Sequence, residues 1–296
     1  MNSVNPLSYR KAGILQLMAG ATMISFSAVF VKVADVGPTT AGFYRMLFGG
    51  LILAAITFVK REALWKGRRA LMYAFGCGIF FSLDLGFWHP SIRYIGPGLA
   101  TLLSNFQVFC LAGFGVLIWK EPLTWKLVIA APLAVLGLYL IVGVDWSSLG
   151  GAYKTGVWLG LSTAIWYSAY LITLRASRSI DNPLDPFANI AVISLFAALV
   201  LGVACKGMGE SFYIPNPATW AALLGYGVAG QVLGTVLISN GLPKVAASQA
   251  GLILLLQPVL SFVWDVLFFA RPVKTVEVIG AILALGGIYL GSIRRA

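Results

Sequence analysis

Gln107, Gln231 and Gln257 each lie roughly nine to thirteen residues inside a run of about twenty apolar residues, and Trp166 lies equally deep in another. At a helical rise of ~1.5 Å per residue, all four fall near the level of a bilayer midplane. An amide facing lipid leaves its donor and acceptor unpaired, at several kcal/mol, so these glutamines must face protein or water. They either line a central cavity and bond the carboxylate and ammonium of a zwitterion, or clamp neighbouring helices together for about 0.6 kcal/mol each. Three amides at one level favour lining. Thr163, Trp166 and Tyr170 follow at i, i+3 and i+7, Gln231, Thr235 and Ser239 at four-residue steps. Trp88 with Ser91, and Thr22 with Ser25, offer further polar and aromatic groups. Aromatic walls carrying a few polar groups suit a substrate with an apolar or aromatic side chain and a polar head. Trp65, Trp119, Trp146 and Trp220 read instead as interfacial anchors.

Ionisable groups within apolar spans are functional candidates by default. Asp84 and Arg45 sit at nearly the same depth. They either pair and neutralise each other, or leave Asp84 to hold a substrate ammonium or a proton. His89, the single histidine, stands near the outer end of its span and has a pH-sensing or an interfacial reading. Pro90, Pro243 and Pro258, with Pro132, each remove a backbone donor and allow a kink, which makes them candidate hinges or gates.

The elements that hold these residues follow from composition. The chain is 59% hydrophobic and 10% charged, with a mean hydropathy of +0.88, against about a quarter charged in soluble domains. Ten runs are long enough to span: 13–34, 39–59, 71–94, 97–119, 125–144, 155–175, 186–206, 218–241, 246–269 and 273–293. Turn residues separate several of them, as at 36–39, 95–98 and 182–186. The polar start leads directly into a full-length span, so a retained first helix is expected rather than a cleaved signal. Cys77, Cys110 and Cys205 are scattered within apolar runs and read as small buried hydrophobes, with no disulfide or metal spacing.

Residues 97–143 overlie residues 247–293 without a gap, about 14 of roughly 47 pairs being identical, among them Gln107/Gln257, Pro122/Pro272, Gly137/Gly287 and Tyr139/Tyr289. Two five-helix halves follow, 1–150 and 151–296. Five is odd, so the second half enters the membrane from the opposite side: an all-α bundle of two inverted repeats, with a site expected between them near the midplane. Counting Lys and Arg on alternate sides gives about 14 against 6 with both termini inside, which predicts a cytoplasmic N-terminus and C-terminus.

Ten spans in two inverted halves, Pro258 in a Leu-Gln-Pro-Val stretch of the ninth, and the Glu121-Pro122 turn before a Gly-containing fifth resemble the drug/metabolite transporter superfamily, EamA-type exporters in particular. The aromatic and amide content resembles, more weakly, the aromatic amino-acid exporter branch. The resemblance implies a bacterial inner-membrane exporter of small amphipathic metabolites, neutral and aromatic amino acids first, with drugs or quaternary amines as the alternative. Arg271 stands where the motif usually has Glu, and Val108 stands opposite Pro258, so the halves are not mechanically equivalent. Other classes fit poorly. No P-loop, zinc-protease helix or nucleophile elbow is present, and Asp84 and His89 lie about 140° apart round a helix, a poor catalytic dyad. Transport is therefore secondary or passive, and no cofactor or metal is expected. The partners are a small molecule and the lipid bilayer, with no nucleic acid; a monomer is favoured. An intramembrane enzyme is the more distant alternative.

Overall fold

The structure, a computed structural model, describes residues 6–120, 122, 125–142, 150–269 and 275–292. Glu121, Trp146, Arg271 and Pro272, used in the sequence reading, lie outside the described residues. All regular structure among the described residues is helical. In chain order the helices are α1 (Pro6–Ser25), α2 (Ser27–Val33), α3 (Pro38–Val59), α4 (Arg68–Ser104), α5 (Gln107–Leu117), α6 (Trp125–Val142), α7 (Gly151–Ser177), α8 (Pro186–Met208) and α9 (Pro217–Gly225). A π-helical stretch, Tyr226–Gly234, then leads into α10 (Thr235–Gly241), a 3₁₀ turn (Leu242–Lys244), α11 (Ala247–Leu254), α12 (Leu256–Phe269) and α13 (Thr275–Ser292). Seven segments are long and apolar enough to cross a membrane: Leu7–Val33, Pro38–Val59, Arg68–Ser91, Gly151–Ser177, Pro186–Met208, Pro217–Lys244 and Ala247–Phe269.

Local chemistry sets several boundaries. Pro186 and Pro217 open α8 and α9 at the first turn, where a missing N–H costs nothing. The Asp185 carboxylate accepts from Phe187 N at 2.9 Å, and Asn216 Oδ1 accepts from Thr219 N at 2.8 Å, capping the same two helices. Gly209, at φ +70°, closes α8 in the left-handed conformation.

One expected boundary takes a different form. The fourth apolar run, 97–119, is divided between the end of α4 and α5, and residues 95–98 are themselves helical. The chain nevertheless reverses there. A β-carbon at Gly160 of α7 would lie 3.0 Å from both Ser91 Oγ and the Leu103 side chain, twelve residues apart. A straight helix would separate these by about 18 Å, so α4 folds back between them. Pro90 stands at the start of this stretch, where its missing backbone donor permits the bend.

The helices pack in reciprocal pairs. α3 lies against α8, α5 against α11, and α6 against α13; α4 lies against α7, as α1 does against the π stretch and α10. The α6–α13 seam is backbone on backbone. A β-carbon at Gly137 would meet Ala284 N at 2.4 Å, and one at Gly287 would meet Ala134 N at 2.8 Å. Position numbers rise on one helix as they fall on the other, so the two run antiparallel. Large side chains such as Leu51, Phe58, Trp158, Ile165, Leu199 and Ile282 cover the outside of the bundle, where lipid tails solvate them as well as a core would. Cys77 and Cys205 are buried as expected; Cys110 is not, and shares this outer surface.

Candidate functional site

Three interruptions of helical geometry meet around one cavity. α1 gives way to α2 at Phe26, α4 to α5 at Asn105–Phe106, and α11 to α12 at Leu255. Phe26, Phe106 and Leu255 share a ψ near zero (−11°, −10° and −11°). Phe106 N and Leu255 N bond back three residues instead of four, a 3₁₀ tightening.

The causes differ. Pro258 has no N–H to offer the Leu254 carbonyl, so the ladder fails at Leu255. At the matched position 150 residues earlier stands Val108. There the ladder is opened by side chains: Ser104 Oγ and Asn105 Nδ2 donate to Thr101 O at 2.9 and 2.6 Å and compete with the backbone for it. In α1, Ser25 Oγ donates to Thr22 O at 2.6 Å and accepts from Trp264 Nε1 at 2.7 Å, while Ser261 Oγ donates to Ser25 O at 3.0 Å. Phe26 stacks on Trp264 at 4.5 Å. That break is tied to α12.

The cavity between these breaks has a volume of about 90 Å³. Of the residues singled out in the sequence, Gln107, Gln257, Thr163, Tyr170, Trp88, Thr235, Asp84 and Arg45 line it. Ser27, Thr101, Ser104, Asn105, Tyr167 and Ser261 also line it and were not singled out. Ser27, Ser104 and Asn105 flank a helix interruption, Tyr167 continues the Thr163 face, and Ser261 donates to the Ser25 carbonyl at the α1 break. Five buried polar atoms on this wall have no hydrogen-bond partner among the described residues: Gln107 Oε1, Gln257 Nε2, Tyr170 Oη, Ser27 Oγ and Arg45 Nε. They comprise one acceptor, two donors and two hydroxyls that serve as either.

Arg45 and Asp84 face the cavity together without an ion pair inside 4.0 Å. The Arg45 guanidinium lies 5.0 Å over the Tyr226 ring and 5.3 Å over the Phe81 ring, and its Nη1 donates to Tyr226 Oη at 3.3 Å. Gly230 permits this placement, since a β-carbon there would stand 3.3 Å from Arg45 Nε.

Five other candidates stand elsewhere. Gln231 is fully buried, donates to Ser194 Oγ at 2.8 Å and accepts from Thr235 Oγ1 at 3.3 Å, joining the π stretch to α8 as a clamp. Trp166 stacks with Phe80 at 6.2 Å and Phe87 at 6.3 Å, away from the cavity. Relative to Thr163, Tyr170 stands about 20° round one way and Tyr167 about 40° the other, while Trp166 stands about 60° round on the Tyr170 side, about 40° beyond the arc that faces the cavity. Thr22 Oγ1 donates to Met18 O at 2.9 Å within its own helix, and Ser25 holds the α1 break. The His89 ring packs against Gly42 of α3. Pro258 adjoins the break at Leu255, Pro90 lies inside α4 just before its reversal, and Pro243 sits in the 3₁₀ turn ending the eighth span. No cluster of metal-ligating side chains occurs among the described residues.

Comparison with known proteins fits this arrangement. A solved crystal structure 17% identical in sequence superposes with a TM-score of 0.80, over 94% of this chain and 96% of that one, so the fold is shared. An uncharacterized transporter of Archaeoglobus fulgidus is 24% identical over 90% of this chain and 93% of its own. A probable amino-acid metabolite efflux pump of Salmonella typhimurium is 23% identical over 95% of this chain and 94% of its own. The model of the EamA-like transporter family matches twice, over residues 11–143 and again over residues 154–293. The chain is a multi-pass membrane protein and belongs to the EamA-like transporter family.

Proposed function

We propose that the protein exports small amphipathic metabolites, chiefly neutral and aromatic amino acids, by exposing the cavity between two inverted five-helix halves alternately to each side of the membrane. The observation that carries this reading is the set of buried polar atoms without protein partners on one cavity wall. Buried polar groups are normally satisfied, and a convergent set that is not is waiting for a ligand. Arg45 Nε and the Ser27 and Tyr170 hydroxyls suit a carboxylate; Gln107 Oε1 and the Asp84 carboxylate suit an ammonium. Phe81, Trp88 and Tyr167 supply an apolar face for the side chain. Export, in particular, is supported by the efflux-pump relative.

At about 90 Å³ the cavity is smaller than the ~300–1,000 Å³ of typical ligand sites, so binding requires the helices to part. The breaks at Phe26, Phe106 and Leu255 are where they flex. Ten crossings are counted as the seven long spans, α6, α13, and the limb of α4 beyond its reversal continued by α5. The doubled family match and the antiparallel Gly137–Ala284 and Gly287–Ala134 contacts support halves 1–150 and 151–296 in opposite orientation. The excess of Lys and Arg on one side supports cytoplasmic termini, and the bacterial efflux-pump relative supports an inner-membrane location.

Counterflow of labelled L-phenylalanine into proteoliposomes preloaded with the unlabelled compound is the test. Accumulation that unlabelled neutral amino acids suppress supports the reading; no accumulation removes it. A second reading, export of amine drugs or quaternary amines, is favoured by the one feature that needs no carboxylate: Asp84 beside aromatic rings and free of an ion pair within 4.0 Å. Phenethylamine competing as well as phenylalanine would support it.

A further inference from the structure

Asp84 has a cavity in front of it and no ion-pair partner within 4.0 Å. Its side chain is buried, at 6% exposure. Arg45, across the cavity, is engaged by the Tyr226 hydroxyl and by two aromatic faces. Other titratable groups near Asp84 are Tyr167 and Tyr170 of α7, and neither carries a cation. From α2, α10 and α12 the wall presents Ser27, Thr235 and Gln257, all uncharged. His89, five residues further along α4, is directed at Gly42 on another face.

A carboxylate out of water and unpaired costs several kcal/mol to keep ionised. Attraction to Arg45 across the cavity offsets part of this, but a bound positive charge offsets more. The carboxylate thus has two economical occupants, a proton or a ligand cation, and they exclude each other.

We propose that Asp84 is a proton-for-substrate exchange site that couples export to proton entry. The inference rests on the export reading above and adds its driving force. In the empty carrier Asp84 holds a proton. When a zwitterion arrives from the cytoplasm its ammonium takes the carboxylate; the Asp84 O–H bond breaks and the proton leaves to cytoplasmic water. After reorientation the ammonium departs outward, and a proton from outside re-forms the O–H bond. Nothing is oxidised or reduced. One proton enters for each zwitterion that leaves, and Arg45 stays charged throughout, matched in the loaded state by the substrate carboxylate.

The test uses the full-length protein in proteoliposomes with L-phenylalanine and the membrane potential clamped to zero. Counterflow at equal pH reports transport without any driving ion. A one-unit pH difference is then imposed, and exchange of one proton per substrate sustains about a tenfold phenylalanine gradient. In D84N the ammonium loses its carboxylate, so counterflow needs many-fold more phenylalanine, and the counterflow that remains no longer responds to the pH difference; D84E, which keeps a titratable carboxylate, restores both the affinity and the drive. Wild-type counterflow that ignores the pH difference overturns the exchange and leaves the export reading standing. A D84N protein that is still pH-driven also overturns it. Absence of wild-type counterflow overturns the export reading and the exchange with it. Should D84N fail to insert, the wild-type and D84E arms decide the question.

Discussion

Gly137 of α6 lies directly on the backbone of Ala284 in α13, close enough that a β-carbon would stand 2.4 Å from the Ala284 nitrogen. The 150-residue offset turns this pair into Gly287 and Ala134, and that contact is present as well, at 2.8 Å. One crossing is thus built twice from the same two residue types. Gly137→Leu and Gly287→Leu are each expected to destabilise the protein, by at least the ~1–3 kcal/mol of ordinary overpacking, because backbone cannot move aside as a side chain would. Gly86→Ala and Gly113→Ala, where nothing lies within 4 Å, should be neutral or stabilising by up to about 1 kcal/mol. Melting temperatures in detergent check both expectations.

Glutamine position separates binding from bracing. Gln107→Leu removes an unsatisfied buried carbonyl from the cavity wall and should abolish phenylalanine counterflow with stability unchanged or raised. Gln231→Leu breaks the bond to Ser194 and should lower stability by roughly 0.6 kcal/mol while counterflow continues. The pair of variants, assayed for counterflow and melting, would show the opposite pattern if Gln231 were the ligand-binding amide.

The α11–α12 and α4–α5 joints should both slow transport when repaired. Pro258→Ala restores an N–H for the Leu254 carbonyl and should straighten the α11–α12 joint, slowing turnover several-fold with little change in half-saturating substrate. Asn105→Leu removes the side chain that competes for Thr101 O and should act in the same direction at the α4–α5 joint. Initial counterflow rates over a range of substrate concentrations read both; a change in half-saturation alone would place these residues in binding instead of movement.

Asp185 offers a measurement remote from the cavity. Its carboxylate caps α8, and Asp185→Ala should cost about 1 kcal/mol in stability without altering transport. In the same loop, burial pushes the Arg178 guanidinium down from its usual range while Asp185 opposes the shift. Because Arg178 also donates to the Leu184 carbonyl, Arg178→Ala should destabilise more than Asp185→Ala does.

Hydropathy made the apolar runs legible, and Gly96-Pro97-Gly98 marked the reversal of α4 although no loop forms there. Pro258 announced the break at Leu255. Its counterpart at Asn105–Phe106 carried no such mark, because a competition between Ser104, Asn105 and the backbone opens it. Spacing alone put Trp166 and Tyr170 on one face; which edge of that arc meets the cavity depends on how α7 is rotated against α4, and Tyr167 is the residue on the inner edge. Gln231 donates to Ser194 from within a π stretch that has no sequence signature. Arg45 and Asp84, paired by depth in the sequence, line the same cavity. What drew Arg45 aside was Tyr226, 181 positions later, a partner that only the packing of α3 on the π stretch reveals.

The central claim is that the cavity between the joints at Phe106 and Leu255 is the route the substrate takes. With Cys77, Cys110 and Cys205 replaced by Ala, single cysteines at positions 163 and 235, which line the cavity, should react with a membrane-impermeant thiol reagent applied from either side, and L-phenylalanine should slow both reactions. Cysteines at both positions that stay unreactive from both sides, or react at a rate phenylalanine leaves untouched, would contradict it.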